Sequence, residues 1–91
     1  MKLIFFETAW EDDLHWQSTD NKILKRINTL IKDITHEPFG GLGKPEPLKH
    51  ALSEYWSCRI NDEHRMVYKV PENAIYIARL RYHYYIFAYR F

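Results

Sequence analysis

The first residues of the chain show a pattern of apolar and polar positions that predicts a strand followed by a helix. The apolar run at residues 3–6 predicts the strand. Thr8 and Glu11 have the spacing of a capping box, in which Thr8 caps the helix and Glu11 reaches back to it. We expect this helix to continue to about residue 17, with three apolar side chains facing inward: Trp10, Leu14 and Trp16.

A second and clearer helical pattern follows a break at residues 18–20, which also offers an N-cap. Apolar residues then recur at helical spacing, at Ile23, Leu24, Ile27, Leu30, Ile31 and Ile34. Because Pro38 cannot continue a helix, this helix should end before it. Lysine and arginine side chains fill the other face, and we expect them to contact water rather than phosphate.

The pattern of the C-terminal half predicts a loop and then three strands. All three glycines lie in the loop, residues 39–47. Segments rich in tyrosine, valine, isoleucine and tryptophan predict strands at 55–60, 64–70 and 74 to about 84. The order β-α-α-β-β-β predicts an α+β fold, with two helices packed on one face of a small, mainly antiparallel sheet. We expect the other sheet face to stay open as a binding surface.

Length and composition limit the class of protein. A chain of 91 residues forms one domain, residues 1–91, which is too small for a deep enclosed pocket. No apolar run approaches the roughly 18 residues that a membrane span needs. The single cysteine, Cys58, fits a reducing cytoplasm, and neither it nor the five histidines have metal-ligand spacing. We therefore expect a cytoplasmic protein that has no membrane partner and no metal site.

Charge is unevenly distributed, although the formal net charge is only +1. Residues 1–43 carry five basic and seven acidic side chains, whereas residues 44–91 carry eight basic and five acidic ones together with the tyrosines. Basic residues interleaved with aromatic residues suit a polyanion whose bases can stack. A solvated strand face would give the same pattern, so the charge alone leaves both interpretations open.

Glu46 is a candidate for chemistry because Pro45 and Pro47 stiffen the backbone on both sides of it. A carboxylate held rigidly beside a basic face could act as a general base. The alternative is a stiff linker, in which Pro47 opens a short helical turn.

Two arginines are expected to lie together on the sheet. Trp56 and Ile60 occupy the inward phase of their strand, so Arg59 should point outward and Arg65 should join it across the hairpin. Adjacent guanidinium groups repel one another unless an anion bridges them, which makes a phosphate site plausible. Pairing with the carboxylates of residues 62–63 would also explain them.

One phase of the last predicted strand carries Arg79, Arg81 and His83, and an imidazole suits proton transfer near neutral pH. A ribonuclease that works without a metal needs a base for the ribose 2′-hydroxyl, cations for the charge at phosphorus and an acid for the departing 5′ oxygen. A carboxylate, several arginines and a histidine supply these roles.

Four short motifs stand in a fixed order along the second half of the chain. They are Lys-Pro-Glu-Pro-Leu-Lys at 44–49, Trp-Ser-Cys-Arg-Ile-Asn at 56–61, Glu-His-Arg-Met-Val-Tyr at 63–68 and Arg-Tyr-His-Tyr at 81–84. Together they resemble the YoeB (Txe) branch of the RelE-like toxins, and the resemblance extends across residues 1–84. It implies a RelE-like fold and a bacterial type II toxin that enters the ribosomal A site, cleaves mRNA and inhibits translation.

The resemblance also implies roles for individual residues. Glu46 would be the general base, His83 the general acid and Arg65 the residue that stabilises the transition state. Tyr84 would orient the substrate, Lys49 and Arg59 would hold phosphates, and further RNA contacts are expected from Lys44 and Arg81. The products would be a 5′-hydroxyl and either a 2′,3′-cyclic phosphate or the 3′-phosphate formed by its hydrolysis, and no cofactor is required. The implied partners are a YefM-like antitoxin, the 70S ribosome, mRNA and a second copy of the chain.

The chain departs from the family pattern at two places. Cys58 stands where family members often have a second basic residue, which predicts weaker substrate binding. Residues 85–91 form an atypical C-terminal extension. Two alternatives share the expected fold: a ParE-like poison of DNA gyrase, and a non-catalytic module that binds RNA or the ribosome. A gyrase poison has no need of a base and an acid, so the side-chain set favours the ribonuclease.

Overall fold

The predicted α+β architecture is confirmed in the computed structural model, which describes residues 1–82. Its helices and strands are β1 (Lys2–Phe5), α1 (Glu7–Thr19), α2 (Asn21–His36), β2 (Glu46–Pro47), β3 (Trp56–Arg59), β4 (Arg65–Lys69) and β5 (Ala74–Arg79), with a 3₁₀ turn at His50–Leu52. Strand β2 is an addition to the predicted order. Within the described residues the last strand ends at Arg79, earlier than expected. It does not continue through Leu80, because the N–H and carbonyl of Leu80 bond to two side chains of α1.

The strands form one sheet in the order β1-β5-β4-β3-β2. β1 is parallel to β5, and the other neighbours are antiparallel. The sheet is therefore mainly antiparallel, as predicted. Its central strand, β4, lies between β5 on one side and the site-bearing strand β3 on the other, with β2 beyond β3.

The main core lies between the helices and one face of the sheet. Its buried side chains come from both helices and from the inward phase of the strands, and they include Ala9, Trp16, Ile27, Leu30, Ile34, Cys58, Met66, Tyr68, Ile75, Ile77 and Leu80. Trp56 and Val70 pack against this cluster. The inward phases predicted for β3 and β4 are thus confirmed.

Helix α2 follows its sequence pattern closely. Asp20 Oδ1 accepts hydrogen bonds from the backbone N–H groups of Lys22 and Ile23, at 3.0 and 3.2 Å. This is the expected N-cap, and the helix ends at His36, before Pro38. Neither helix of the described range is long and apolar enough to cross a membrane.

Helix α1 differs from the prediction at its start and in its inward face. It begins at Glu7, and no side chain caps it. The Thr8 hydroxyl donates instead to the Ala78 carbonyl at 2.8 Å, so it serves a tertiary contact. Trp10 and Leu14 were predicted to face inward, but they are 50% and 45% exposed. The buried residues of the helix are Ala9, Asp12 and Trp16.

The inward face of α1 is shifted because Asp12 pairs with the end of β5. Asp12 Oδ2 accepts from Arg79 Nε at 2.8 Å and from the Leu80 N–H at 3.0 Å, while Oδ1 accepts from Arg79 Nη2 at 3.1 Å. These charge-assisted bonds satisfy a carboxylate that burial would otherwise penalise. A polar contact, as well as apolar packing, therefore fixes α1 to the sheet.

The second face of the sheet is only partly open. Residues 48–55 fold over it, and Leu48, Leu52 and Tyr55 pack on Val67 and Ala78 in a second small core. The expectation of an open face is therefore wrong for this part of the sheet. What stays accessible lies beside β2, where Glu46 is exposed.

Removing the Asp12 carboxylate should destabilise the fold strongly. We expect Asp12→Ala to lower the free energy of unfolding by about 3–5 kcal/mol, because a largely buried guanidinium loses this partner. Urea unfolding measures the change. Asp13→Ala is the matched control, since Asp13 accepts from Gln17 in an exposed pair, and its effect should stay within about 0.5 kcal/mol. Equal effects of the two substitutions would contradict this account of α1.

Candidate active site

The register of the sheet brings Glu46 and Arg65 to one face. Glu46 of β2 lies opposite Ser57 of β3, and Ser57 lies opposite Val67 of β4. Directly opposed residues project to the same side of a sheet, and so do residues two apart on one strand. Arg65 precedes Val67 by two positions and therefore shares this face with Glu46 and Ser57.

The Arg65 side chain is held by neighbours on this face. Its Nε donates to Ser57 Oγ at 2.6 Å, and its Nη2 donates to Glu46 Oε1 at 3.2 Å. The side chain of Arg65 is 16% exposed, against 56% for Glu46. A nearly buried, pre-positioned cation thus lies beside a carboxylate that solvent and ligands can reach.

Arg65 and Glu46 line a cleft of about 420 Å³. The other lining residues come from α2, from the loop before β2 and from β3, and they are Arg26, Leu42, Gly43, Lys44 and Arg59. Four cationic side chains therefore face one carboxylate. This excess of positive charge favours an anionic ligand such as a phosphodiester.

Arg59 lies directly opposite Arg65 in the β3–β4 pair, as predicted. Its guanidinium forms an ion pair with Asp62, and the two side chains are 58% and 88% exposed. The carboxylate pairing that the sequence left open is therefore present for Arg59. Exposed ion pairs contribute little to stability, about 0–1 kcal/mol, so little free energy is lost when this pair opens.

The loop before β2 forms the rim of the cleft. The Gly43 carbonyl accepts the Arg59 N–H at 3.0 Å, which ties the loop to β3. A Cβ atom added to Gly43 would lie 2.7 Å from the Cβ of Cys58, so the approach requires glycine. This close contact brings Lys44 and Glu46 up to the arginines.

Cys58 lies on the opposite face from the cleft. It is fully buried in the main core. Burial raises the pKa of its thiol to about 12. A ligand in the cleft does not meet this side chain, and the predicted loss of substrate affinity stays a prediction.

The structure brings together four of the residues singled out from the sequence: Glu46, Arg65, Arg59 and Lys44. Lys49 is exposed but does not line the cleft. Arg81 also lies elsewhere, with its guanidinium carbon 4.7 Å from the centre of the Tyr82 ring. His83 and Tyr84 lie outside the described residues.

Arg26 and Ser57 are parts of the site that the sequence did not identify. Arg26 belongs to the basic face of α2, which was expected to contact water alone, and only the packing of α2 shows that it reaches the cleft. Ser57 shares the outward phase of its strand with Arg59, but a serine in a strand does not by itself indicate a functional site. Within residues 1–82, no group of three or more His, Cys, Asp or Glu side chains could hold a metal ion.

Comparison with known proteins assigns the family. The model of the YoeB-like toxin of bacterial type II toxin–antitoxin systems matches residues 5–84. The chain belongs to this family. The toxin YoeB of Escherichia coli K12 is 58% identical over 84 residues, which cover 92% of this chain and all of that relative. The toxin YoeB of Streptomyces coelicolor is 54% identical over the same length and coverage.

Solved structures of YoeB toxins have the same fold. A YoeB/ParE toxin from Agrobacterium tumefaciens has a TM-score of 0.90 at 44% identity, covering 92% of this chain and all of that one. A YoeB dimer and a YoeB–YefM complex from Staphylococcus aureus both have TM-scores of 0.85, at 46% and 45% identity, each covering 92% of this chain and 98% of the solved chain. These neighbours confirm the predicted RelE-like toxin fold.

The inward position of Cys58 predicts low thiol reactivity. With a pKa of about 12, the folded protein at pH 8 should hold roughly a thousandth of the thiolate of a free cysteine. Labelling with Ellman's reagent should therefore be slow in the native protein and fast in denaturing urea. The control is the double variant Cys58→Ser/Arg59→Cys. Its cysteine lies one position later, where the native side chain is exposed, and should react quickly. Rapid labelling of native Cys58 would contradict the inward position.

Proposed function

We propose that the protein is a ribosome-dependent endoribonuclease that cleaves mRNA in the ribosomal A site. The observation that carries this proposal is the pairing of Glu46 with Arg65, 3.2 Å apart in a cleft lined by cations. A base and a fixed cation side by side are what attack on a phosphodiester by the neighbouring 2′-hydroxyl requires. Membership of a toxin family supports the proposal, because blocking translation stops growth.

Glu46 is the general base of the proposed reaction. Its carboxylate takes the proton of the ribose 2′-hydroxyl while that oxygen attacks the adjacent phosphorus. The bond from phosphorus to the 5′ oxygen of the next nucleotide then breaks, which leaves a 2′,3′-cyclic phosphate and a 5′-hydroxyl. The exposure of Glu46 supports this role, since a ribose can reach it.

Arg65 stabilises the extra negative charge that develops on the phosphoryl oxygens. Its bond to Ser57 fixes the guanidinium before RNA arrives, so little reorganisation is needed during the reaction. Arg59, Lys44 and Arg26 add positive charge around the same space and would hold the flanking phosphates. No step in this scheme requires a metal ion.

His83 is the proposed general acid for the 5′ oxygen, and Tyr84 orients the substrate. Both follow directly after Tyr82, whose carbonyl accepts the Arg65 N–H at 2.9 Å. The chain therefore leaves the described range beside Arg65, which supports a role near the cleft. Lys49 and Arg81 are proposed to contact the RNA outside it.

The proposed partners are a YefM-like antitoxin, the 70S ribosome, mRNA and a second copy of the chain. The S. aureus YoeB structures, a dimer and a complex with YefM, support the antitoxin and the dimer. The ribosome and mRNA are proposed from the family resemblance, and the cationic lining of the cleft supports an RNA ligand. The proposed location is the cytoplasm, where all of these partners meet.

Substituting Glu46 should slow cleavage strongly without unfolding the protein. We expect Glu46→Gln to reduce the rate of mRNA cleavage on programmed ribosomes by about 10²–10⁴-fold, because the amide cannot accept the proton. Glu54→Gln is the matched control, since Glu54 pairs with Lys69 at the same 3.2 Å but lies outside the cleft. Its rate should equal that of the unmodified protein.

The rates come from mapping mRNA 5′ ends over time. Arg65→Ala should lose cleavage to a similar degree as Glu46→Gln. Undiminished cleavage in both variants would rule out the assigned site. Inhibition of DNA gyrase by a protein that cuts no RNA would overturn the proposed function.

A further inference from the structure

The last described residues of the chain are held by side chains of α1. The Trp16 indole Nε1 donates to the Leu80 carbonyl at 2.8 Å, and the Leu80 N–H donates to Asp12 Oδ2 at 3.0 Å. All three residues are buried, so water does not compete for these bonds. The backbone at Leu80 is thus fixed on both its donor and its acceptor side.

His64 holds the next part of the same backbone. Its Nδ1 accepts the Tyr82 N–H at 2.8 Å, and the Tyr82 carbonyl accepts the N–H of Arg65 at 2.9 Å. The ring of His64 packs edge-on against Trp16, with centroids 4.9 Å apart. Asp12, Trp16 and His64 therefore form one set of contacts along residues 80–82, which we name the C-terminal clamp.

The backbone at Tyr82 needs this support. Its φ angle is +70°, in the left-handed region that residues other than glycine rarely adopt. Such a conformation persists only where the surrounding contacts fix it, and it is found often at functional sites. Both backbone hydrogen-bonding groups of Tyr82 are occupied: its N–H donates to the His64 side chain, and its carbonyl accepts from the backbone of the site residue Arg65.

His64 can accept this hydrogen bond only as a neutral imidazole with its proton on Nε2. Burial lowers the pKa of His64 below its usual 6.5, which favours the neutral ring. Four charged or titratable groups face it: Glu63 and Asp12 raise the pKa, while Arg81 and His15 lower it. The bond is therefore present above the pKa of His64 and is lost as the pH falls through it.

We propose that His64 is a positioning residue for RNA cleavage: through Nδ1 it fixes the backbone of Tyr82, the residue that directly precedes the proposed acid His83 in the sequence. This inference rests on the proposed function. The placement of a reacting group depends on the backbone that carries it, and a displacement of about 1 Å can slow a reaction by 10²-fold. The Tyr82 carbonyl also accepts the Arg65 N–H, so the backbone that the clamp fixes is tied to the proposed catalytic cation.

The test compares three variants with the unmodified protein. His64→Leu removes the acceptor, whereas His64→Asn keeps one, because its Oδ1 lies about where Nδ1 was. His15→Leu is the matched control: His15 also packs on Trp16, with centroids 4.7 Å apart, but its ring makes no hydrogen bond to the described residues. Thermal unfolding establishes that each variant is folded.

The first readout is hydrogen exchange of the Tyr82 amide in the free protein, which does not depend on activity. We expect protection in the unmodified protein, in His64→Asn and in His15→Leu, and at least tenfold faster exchange in His64→Leu. An equally protected amide in His64→Leu would overturn the clamp.

The second readout is the steady-state kinetics of mRNA cleavage on programmed ribosomes. His64→Leu should lower kcat by about 10–100-fold, because the reacting groups are misplaced, while KM changes less than about threefold. His64→Asn should recover most of this loss. As the pH falls through the pKa of His64, the rate of this variant should fall less than that of the unmodified protein, because asparagine does not titrate. A loss of rate that both proteins share would not come from His64.

Two results distinguish the failure of this inference from that of the proposed function. An unmodified protein that cleaves RNA, together with a folded His64→Leu that cleaves at the same rate, would reject the positioning role alone. An unmodified protein that cleaves no RNA would reject the proposed function, and the Tyr82 amide would still report on the clamp.

Discussion

The whole site depends on how one guanidinium is held. Arg65 extends across strand β3, bonds to Ser57 and reaches Glu46 on β2, so it joins three strands on a single face. Its backbone N–H also donates to the Tyr82 carbonyl, which links the cleft to the last of the described residues. Because a small domain cannot enclose a deep pocket, fixed charge in a shallow cleft is the means left to it for binding an anionic ligand.

The pattern of the strands predicted much of this arrangement. Alternation placed Arg59 and Arg65 on the face away from Trp56, and the hairpin between the strands set them opposite one another. Both follow from a period of two residues and a short turn, which are local properties of the sequence. The fold class was predictable for the same reason, since α2 and the strands carry strong local patterns.

The rest depends on contacts between residues far apart in the chain. Trp10 was expected to be buried, but the pairing of Asp12 with Arg79 sets the inward face of α1, and no local pattern contains that pair. Strand β2 is two residues long, too short for any periodicity. Arg26 belongs to a basic helix face like many others, and only the packing of α2 brings it to the cleft.

The central claim is that Glu46 and Arg65 act on one phosphodiester of mRNA. The most direct measurement is a structure of the protein on a ribosome whose mRNA carries a 2′-deoxynucleotide at the cleavage position, which blocks the attack. We predict that the phosphate lies about 3 Å from the Arg65 guanidinium, with the 2′ carbon of the preceding ribose facing Glu46. An mRNA that binds on another surface, with the cleft empty, would contradict the account.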